Sequence, residues 1–415
     1  MISSELFEWM SGRRVREVDV SGRAYELALD VLGRHLELRS ARNVHYDNGV
    51  ICAGLVYLSM NNTYAQTAMD DLREKHGLDA PTGAAFRYRL RQFWAEQLAE
   101  QPREESDYRR TVLAQMRIWR MLLDANDDLL SIAKRLGVFL EPVTCAVDYT
   151  KVPYYGDFNP SVMRSRKERG TNHFYEYATI SIVEKGRKVC VYSLPINLLD
   201  QKSEVLERLI AEARLRGVVI ETLLLDRAFF TVECINLLKG MCVSFIMPCV
   251  SNSRVSAAVD SFGRPGRFGA FSISNSERET AEFTMVVCRG KKGKLIPFAT
   301  NIEWLSPRSL LKRVPRMYRK RWSIETTFRK VKEVIGKTTS QLAFLRQTYF
   351  MLATMIYNVW QVINMSLFFI GAHRRPNPYR GKDVAMALPR LLRFLEKSLV
   401  RSLRDWMRNV PVKGR

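Results

Sequence analysis

A chain of 415 residues, 47% hydrophobic and 26% charged, is long enough for two or three domains with a sizeable core. Its formal net charge of +22 points to a polyanionic partner, either nucleic acid or an anionic membrane surface. Seven cysteines without a C-x-x-C pair and five scattered histidines give neither a disulfide framework nor zinc-site spacing; Cys145, Cys190, Cys242 and Cys288, in apolar strand-like runs, are expected to be buried free thiols in a reducing cytoplasm.

The cations are spread over several segments and mixed with Trp, Tyr and Phe, as a long nucleic-acid path requires. The N-terminus, MISSELFEWMSGRRVREVDV, has no apolar run, so no signal peptide is expected. Residues 1–135 read as helical. Helix periodicity covers 20–38, an apolar helix 49–60, and a third helix 64–76 after the turn Asn61-Asn62-Thr63. A second turn over 77–82 leads into a basic helix with Arg87, Arg89, Arg91 and Phe93. This is the outline of a helix-turn-helix over about 49–97, with 82–92 facing the major groove. A helical bundle with an ordinary basic surface is the alternative.

The middle of the chain is α/β. Residues 142–149 form a short apolar strand ending at Asp148, followed by a basic loop over 164–170. Strands over 174–184 and 187–195 are joined by Lys185-Gly186, a hairpin signal. A helix over 203–216 is capped by Ser203 and stopped by Gly217. A buried-type strand over 218–225 ends in Asp226; a helix over 229–239 and a strand over 243–250 follow. Three strands, helix, strand, helix, strand make a mixed sheet with crossover connections. Residues 251–304 read as a β-rich insertion with strands over 268–273, 281–288 and 294–301.

Ser306-Pro307 opens a helical run that Pro315 divides before Tyr318 and Gly336 ends. Residues 308–332 hold ten Lys or Arg and one acid, Glu325. At 100° per residue, Tyr318, Arg321, Glu325 and Lys332 share a sector of roughly 60°. Ile324, Phe328, Val331 and Ile335 form an apolar stripe beside it. Residues 349–372 are strongly apolar, but Asn358, Gln361 and Asn364 recur at helical spacing, which favours a core helix over a membrane span. A basic helical tail over 371–415 closes the chain.

Asp148 and Asp226 would converge at one sheet edge, and a helix packed across that edge supplies Glu325. Three carboxylates repel one another unless they share hard divalent cations. Two such ions about 4 Å apart suit in-line attack on a phosphodiester, while the surrounding cations hold the DNA backbone. Each aspartate alone reads better as a turn former or cap, and Glu325 alone reads as well as half of an intrahelical ion pair; together, in a basic frame, they carry the functional reading.

Tyr318, Arg321, Glu325 and Lys332 match Y-x2-R-x3-E-x6-K at all four positions. Asp226-Arg227-Ala228-Phe229-Phe230 resembles the second-aspartate motif of the same proteins, with Ala228 where Gly more often stands, and Asp148-Tyr149-Thr150 fills the first-aspartate place. On these residues the chain resembles DDE transposases of prokaryotic insertion sequences, the insertion-sequence-four group, over about 140–370. The resemblance implies an RNase H-like core over 140–250 and 305–370, interrupted by the insertion at 251–304 and preceded by a DNA-binding domain over 1–135. It implies that Asp148, Asp226 and Glu325 are catalytic and bind two Mg2+ ions, with Mn2+ as a substitute. Cleavage at a transposon end would free a 3′ hydroxyl that attacks target DNA. Tyr318, Arg321 and Lys332 would hold phosphates, and Trp304 or Phe271 would stack on a flipped base. The implied partners are double-stranded DNA, as inverted-repeat ends and as target, and a second copy of the chain; the place is the cytoplasm, at the nucleoid, without membrane attachment. Two rivals are a domesticated sequence-specific DNA-binding protein and a nuclease on the same core.

Overall fold

The computed structural model describes residues 31–36, 46–139, 141–159, 161–261, 267–290, 293–372 and 386–409. The chain forms two compact units, a helical one from Met1–Gly137 and Arg329–Arg415 and a sheet one from Val138–Phe328. The segment 305–370, expected to belong wholly with the sheet, is therefore shared between them. Of the helix expected over 20–38, residues 31–35 are helical and 20–30 and 37–38 lie outside the described residues. So do 373–385 and 410–415 of the basic tail.

In the helical unit, α1 (Asn48–Met60) is apolar and buried from Val50 onward, and Asp47 Oδ1 caps it by accepting from Val50 N at 3.0 Å. Asn62 takes a positive φ of 47° in the turn to α2 (Ala65–Asp70), which a π-type turn over Asp71–Lys75 prolongs. Gly77 turns the chain at φ 63°, and Thr82 Oγ1 caps α3 (Gly83–Ala99) by accepting from Ala85 N at 3.1 Å. A Cβ on Gly83 would stand 2.5 Å from Gln66 Cα, so α2 and α3 approach this closely only because residue 83 has no side chain. Ala84, Arg87, Tyr88 and Arg91 are exposed on α3, one face at i, i+3, i+4, i+7. Arg89 is different: it is 7% exposed, three residues after buried Phe86 and four before buried Phe93, so helix geometry turns it inward. α4 (Asp107–Arg135) completes this half, with Ser106 as its cap.

The sheet unit is built on β1 (Val143–Tyr154), β2 (Met163–Glu168), β3 (Thr171–Glu184), β4 (Arg187–Ile196), β5 (Ile220–Leu225), β6 (Phe245–Pro248), β7 (Arg267–Ser274), β8 (Thr280–Arg289) and β9 (Leu295–Thr300). They form one nine-stranded sheet in the order β2-β3-β1-β5-β6-β9-β8-β7, with β4 also on β3. β1, β3 and β4 are antiparallel neighbours, whereas β1, β5 and β6 run parallel. The expected insertion strands are present, and they extend this sheet: β9 pairs antiparallel with the otherwise open edge of β6. Two expectations change. The basic segment after Asp148 contains a strand, β2, closed onto β3 by a turn in which Arg169 (φ 51°) and Gly170 (φ 87°) are both left-handed. Its cationic side chains show no apolar alternation, so the strand left no pattern to read. And β1 does not stop at Asp148 but continues to Tyr154.

α5 (Lys202–Leu215) has Gln201 at its cap position, two residues before the expected Ser203 and without a side-chain cap bond, and Gly217 stops it at φ 82°. The expected helix over 229–239 is a 3-10 turn, Arg227–Phe229, followed by α6 (Val232–Gly240), capped by Thr231. Cys145, Cys190 and Cys288 are buried as expected, but Cys242 is exposed, in the left-handed turn (φ 53°) after α6. After α7 (Ser253–Ser261) and the last strands come α8 (Pro307–Tyr318) and α9 (Trp322–Glu333), separated by a 3-10 turn over Arg319–Arg321. The break thus falls after Tyr318, not before it. Pro315 has no N–H for the carbonyl of Leu311, and Cys288 Sγ donates to that carbonyl at 4.0 Å instead. One core binds both helices to the sheet: Ala146, Leu224, Ile246, Val286 and Phe298 meet Leu310, Val314, Ile324 and Phe328. Each of these side chains larger than alanine contributes roughly 1.5–3 kcal/mol on burial.

Back in the helical unit, α10 (Ala343–Ala372) packs along α4, and α11 (Leu388–Asn409) along α1. Two of the three residues on the polar edge of α10 are paired inside the protein: Asn358 Nδ2 donates to Asn126 Oδ1 at 2.8 Å, and Asn364 Oδ1 accepts from Met386 N at 2.7 Å. Among the described residues no helix is long and apolar enough to cross a membrane. Gly336 is not a helix stop, since α9 ends at Glu333; a Cβ there would lie 2.1 Å from Leu58 Cδ2, so close packing requires the glycine.

Candidate active site

The parallel ladder between β1 and β5 ends at the pair Val147–Leu225, so Asp148 and Asp226 are the next residues of adjacent strands at one edge. Side chains alternate along a strand. Asp148 therefore shares the face of Ala146, and Asp226 that of Leu224, both core residues beneath α8 and α9. Glu325 lies in the first turn of α9, next to Ile324, which anchors the helix in that core. Asp148 Oδ1 accepts from Tyr149 N at 2.9 Å, and Asp226 Oδ1 from Arg227 N at 2.8 Å.

Arg321 joins two of the three acids. Its Nη1 donates to Asp148 Oδ2 at 3.0 Å and its Nη2 to Glu325 Oε1. Burial pushes the Asp148 carboxyl up to about 6; Arg321 and the Tyr149 N–H oppose that rise, while Asp226 and Glu325 add to it. Burial likewise raises the Tyr318 hydroxyl to about 12, against the pull of Arg321 and with the help of Asp226 and Asp148. For Arg321 burial disfavours the charge, but Tyr318, Asp148, Asp226 and Glu325 outweigh it and raise its pKa further. Asp226 and Glu325 are thus near enough to Asp148 for their charge to act on it. Among the described residues no three His, Cys, Asp or Glu side chains stand close enough, as they are, to hold one metal ion. The guanidinium lies between two of them. An all-oxygen donor set with unbalanced negative charge fits a hard divalent cation, which would take over the neutralising role of Arg321.

A family model described as a transposase DDE domain matches residues 142–359, more than half of the chain. The chain belongs to this family. The match spans all three acids, and DDE transposases use divalent metals. Among solved structures the transposase is similar to the piggyBac transposase synaptic complex with hairpin DNA, at a TM-score of 0.58 and 12% identity, over 96% of this chain and 83% of that one. At that identity the likeness concerns the fold. No curated protein matches the sequence.

The transposase also holds its site with residues that the sequence motifs did not reveal. Lys320 Nζ donates to both Glu184 oxygens, at 2.9 and 2.8 Å, and to Thr144 Oγ1 at 3.2 Å. Glu184 Oε1 also accepts from Thr144 N at 3.1 Å. Burial would raise the Glu184 carboxyl, but the bonds from Lys320 and Thr144 outweigh it and hold the pKa below the usual range. Lys320 and Arg321 thus fasten successive positions of one 3-10 turn to β1 and its neighbour, and that turn leads straight into the Glu325 helix. Glu184→Gln is expected to slow single-turnover cleavage roughly 10–100-fold with DNA affinity unchanged, since small misplacements of a catalytic group are costly. A rate equal to wild type at saturating DNA would reject the positioning role. A second brace is the stack of Tyr149 on Phe229, 5.3 Å apart and 11° from parallel, which links the segments just beyond the two aspartates.

Trp304 is 47% exposed, with Arg313 Cζ 5.3 Å from its ring centroid. Phe271 packs on Phe283 within the β7–β8 hairpin. Lys332 is in the last turn of α9, in the helical unit, where its carbonyl accepts from Asn62 Nδ2 at 3.0 Å.

Proposed function

We propose that the transposase cuts DNA at the ends of its own element and joins the freed 3′ hydroxyl to target DNA, with Asp148, Asp226 and Glu325 as the catalytic carboxylates. The observation that carries this is the register: the β1–β5 ladder sets the two aspartates side by side, under the helix that bears Glu325. The three carboxylates would hold two Mg2+ ions, which supply activation of the attacking oxygen and stabilisation of the leaving oxygen. Asp148, raised by burial and by its acidic neighbours, is the group most in need of added positive charge. Tyr318 and Arg321 border the carboxylates and would hold phosphate beside them; Lys332, in the helical unit, would hold phosphate too. The helical unit selects the end sequence through the exposed face of α3, with Arg87 and Arg91 as base or phosphate contacts; buried Arg89 supports that helix from behind. The piggyBac complex is a synaptic one with hairpin DNA, and it supports a reading in which two copies of this chain pair two element ends. The protein would act on the chromosome in the cytoplasm.

The test is a plasmid carrying the sequences that flank this gene, incubated with purified protein. Mg2+ should produce strand cuts with 3′ hydroxyls at the outer borders of inverted repeats, and EDTA should abolish them. Cuts scattered without regard to the repeats would indicate a nuclease instead, and binding without cuts a domesticated DNA-binding protein.

A further inference from the structure

Past Asp148 the sheet extends into an arm. β1 continues six residues to Tyr154, roughly 20 Å at about 3.3 Å per residue, with β3 beside it and β2 beyond. β2 and its turn carry Arg164, Arg166, Lys167 and Arg169, all exposed, against two exposed acids, Asp157 and Glu168. Among the described residues no ion pair engages any of the four cations.

The arm also has a face. Register pairs Asp148 with Thr179, Tyr154 with His173, and His173 with Arg164, so Arg164 and His173 stand on the same side of the sheet as Asp148. Arg164 Cζ lies 4.3 Å from the Phe158 ring centroid, and Phe158, 39% exposed, is 5.7 Å from His173. Tyr155, 71% exposed, donates its hydroxyl to the carbonyl of Arg169 at 3.0 Å. The arm is braced: Thr171 Oγ1 donates to the Tyr154 carbonyl at 2.6 Å, and Lys151 Nζ to Ser165 Oγ at 2.5 Å. At the tip Arg169 holds a left-handed φ of 51°, where Asn, Asp or Gly would sit without strain. Arg169 is thus a cation at a position where the turn favours other residues.

We infer that this arm is a second DNA-binding surface, which grips the phosphate backbone of a duplex about six base pairs from the phosphate being cut. The spacing follows from roughly 20 Å of strand set against about 3.4 Å per base pair. The inference rests on Asp148 marking the cleavage site. Element-end DNA and target DNA present the same backbone, so the experiment separates them.

The variant Arg164→Gln/Arg166→Gln/Lys167→Gln/Arg169→Asn removes four charges and keeps a residue suited to the turn. Its affinity is measured over a KCl series on two labelled 40-bp duplexes, one from the gene-flanking repeat and one of random sequence. The slope of log affinity on log salt should become shallower by about 2–4, near 0.9 per lost phosphate contact, on at least one duplex. The hydroxyl-radical footprint on the repeat should shrink about six base pairs from the cut, the span that the strand length sets. A loss on the repeat alone assigns the arm to the element end; a loss on both extends it to target DNA. Arg164→Lys, which keeps the charge, should retain the wild-type slope. Unchanged slopes on both duplexes would overturn the inference even in a protein that cleaves normally. A shallower slope in a protein whose wild type never cleaves would refute the catalytic reading and leave the arm as a DNA contact.

Discussion

Asp226→Asn and Glu325→Gln each lower metal-dependent DNA cleavage by at least about 10^3-fold, while affinity for duplex DNA stays within about threefold of wild type. Neither substitution removes an apolar anchor. Asp226 sits past the end of β5, and the bond it accepts from Arg227 N can also be accepted by an amide oxygen. Glu325 is flanked by Ile324 and Phe328, which hold α9 to the sheet whatever stands between them. Each change removes one negative charge from a cluster whose chemistry depends on carrying several. The measurement is a cleavage time course with Mg2+, paired with a binding titration in EDTA. A variant that cuts within tenfold of the wild-type rate would remove that residue from the catalytic set. A variant that fails to bind as well as to cut would show that the acid is structural.

Arg321→Ala destabilises the metal-free protein by about 3 kcal/mol, because it strands Asp148 and Glu325 without their shared cation. In a unit of this size that corresponds to a fall in Tm on the order of 6–12 °C. Mg2+ should return more stability to the variant than it adds to wild type, since the ion supplies the charge that was removed. The arginine is 14% exposed and Asp148 17% exposed, so the pair is poorly screened by solvent. The sequence resemblance assigns Arg321 to a phosphate. In the structure it engages carboxylates, and the two roles are compatible if the guanidinium yields to metal and turns to the DNA backbone. Equal melting of wild type and variant in EDTA would contradict the bridging role. A Mg2+ shift no larger in the variant would contradict the exchange.

Much of this was legible beforehand because the elements obey local rules. Lys185-Gly186 marks the β3–β4 hairpin, Gly217 stops α5, and the hydrophobic runs before Asp148 and Asp226 become the two central parallel strands. The apolar stripe of Ile324 and Phe328 docks the glutamate helix as its spacing implied. What escaped was nonlocal or patternless. β2 is a strand by pairing alone, its residues too polar to announce it. The extension of β1 past Asp148 depends on β3 continuing beside it. Glu184 and Lys320 are 136 residues apart and meet only because β3 returns next to β1. Arg89 looked like its neighbours Arg87 and Arg91, and only the helix phase set by Phe86 and Phe93 distinguishes it.

Asp148, Asp226 and Glu325 are proposed to surround a divalent-cation site that Arg321 fills in the absence of metal. Anomalous diffraction from crystals soaked in Mn2+ tests it most directly. One or two peaks are expected about 2.2 Å from carboxylate oxygens of Asp148 and Asp226, with Glu325 alongside and the Arg321 guanidinium withdrawn. Manganese bound elsewhere, with Arg321 still bridging Asp148 and Glu325, would contradict it.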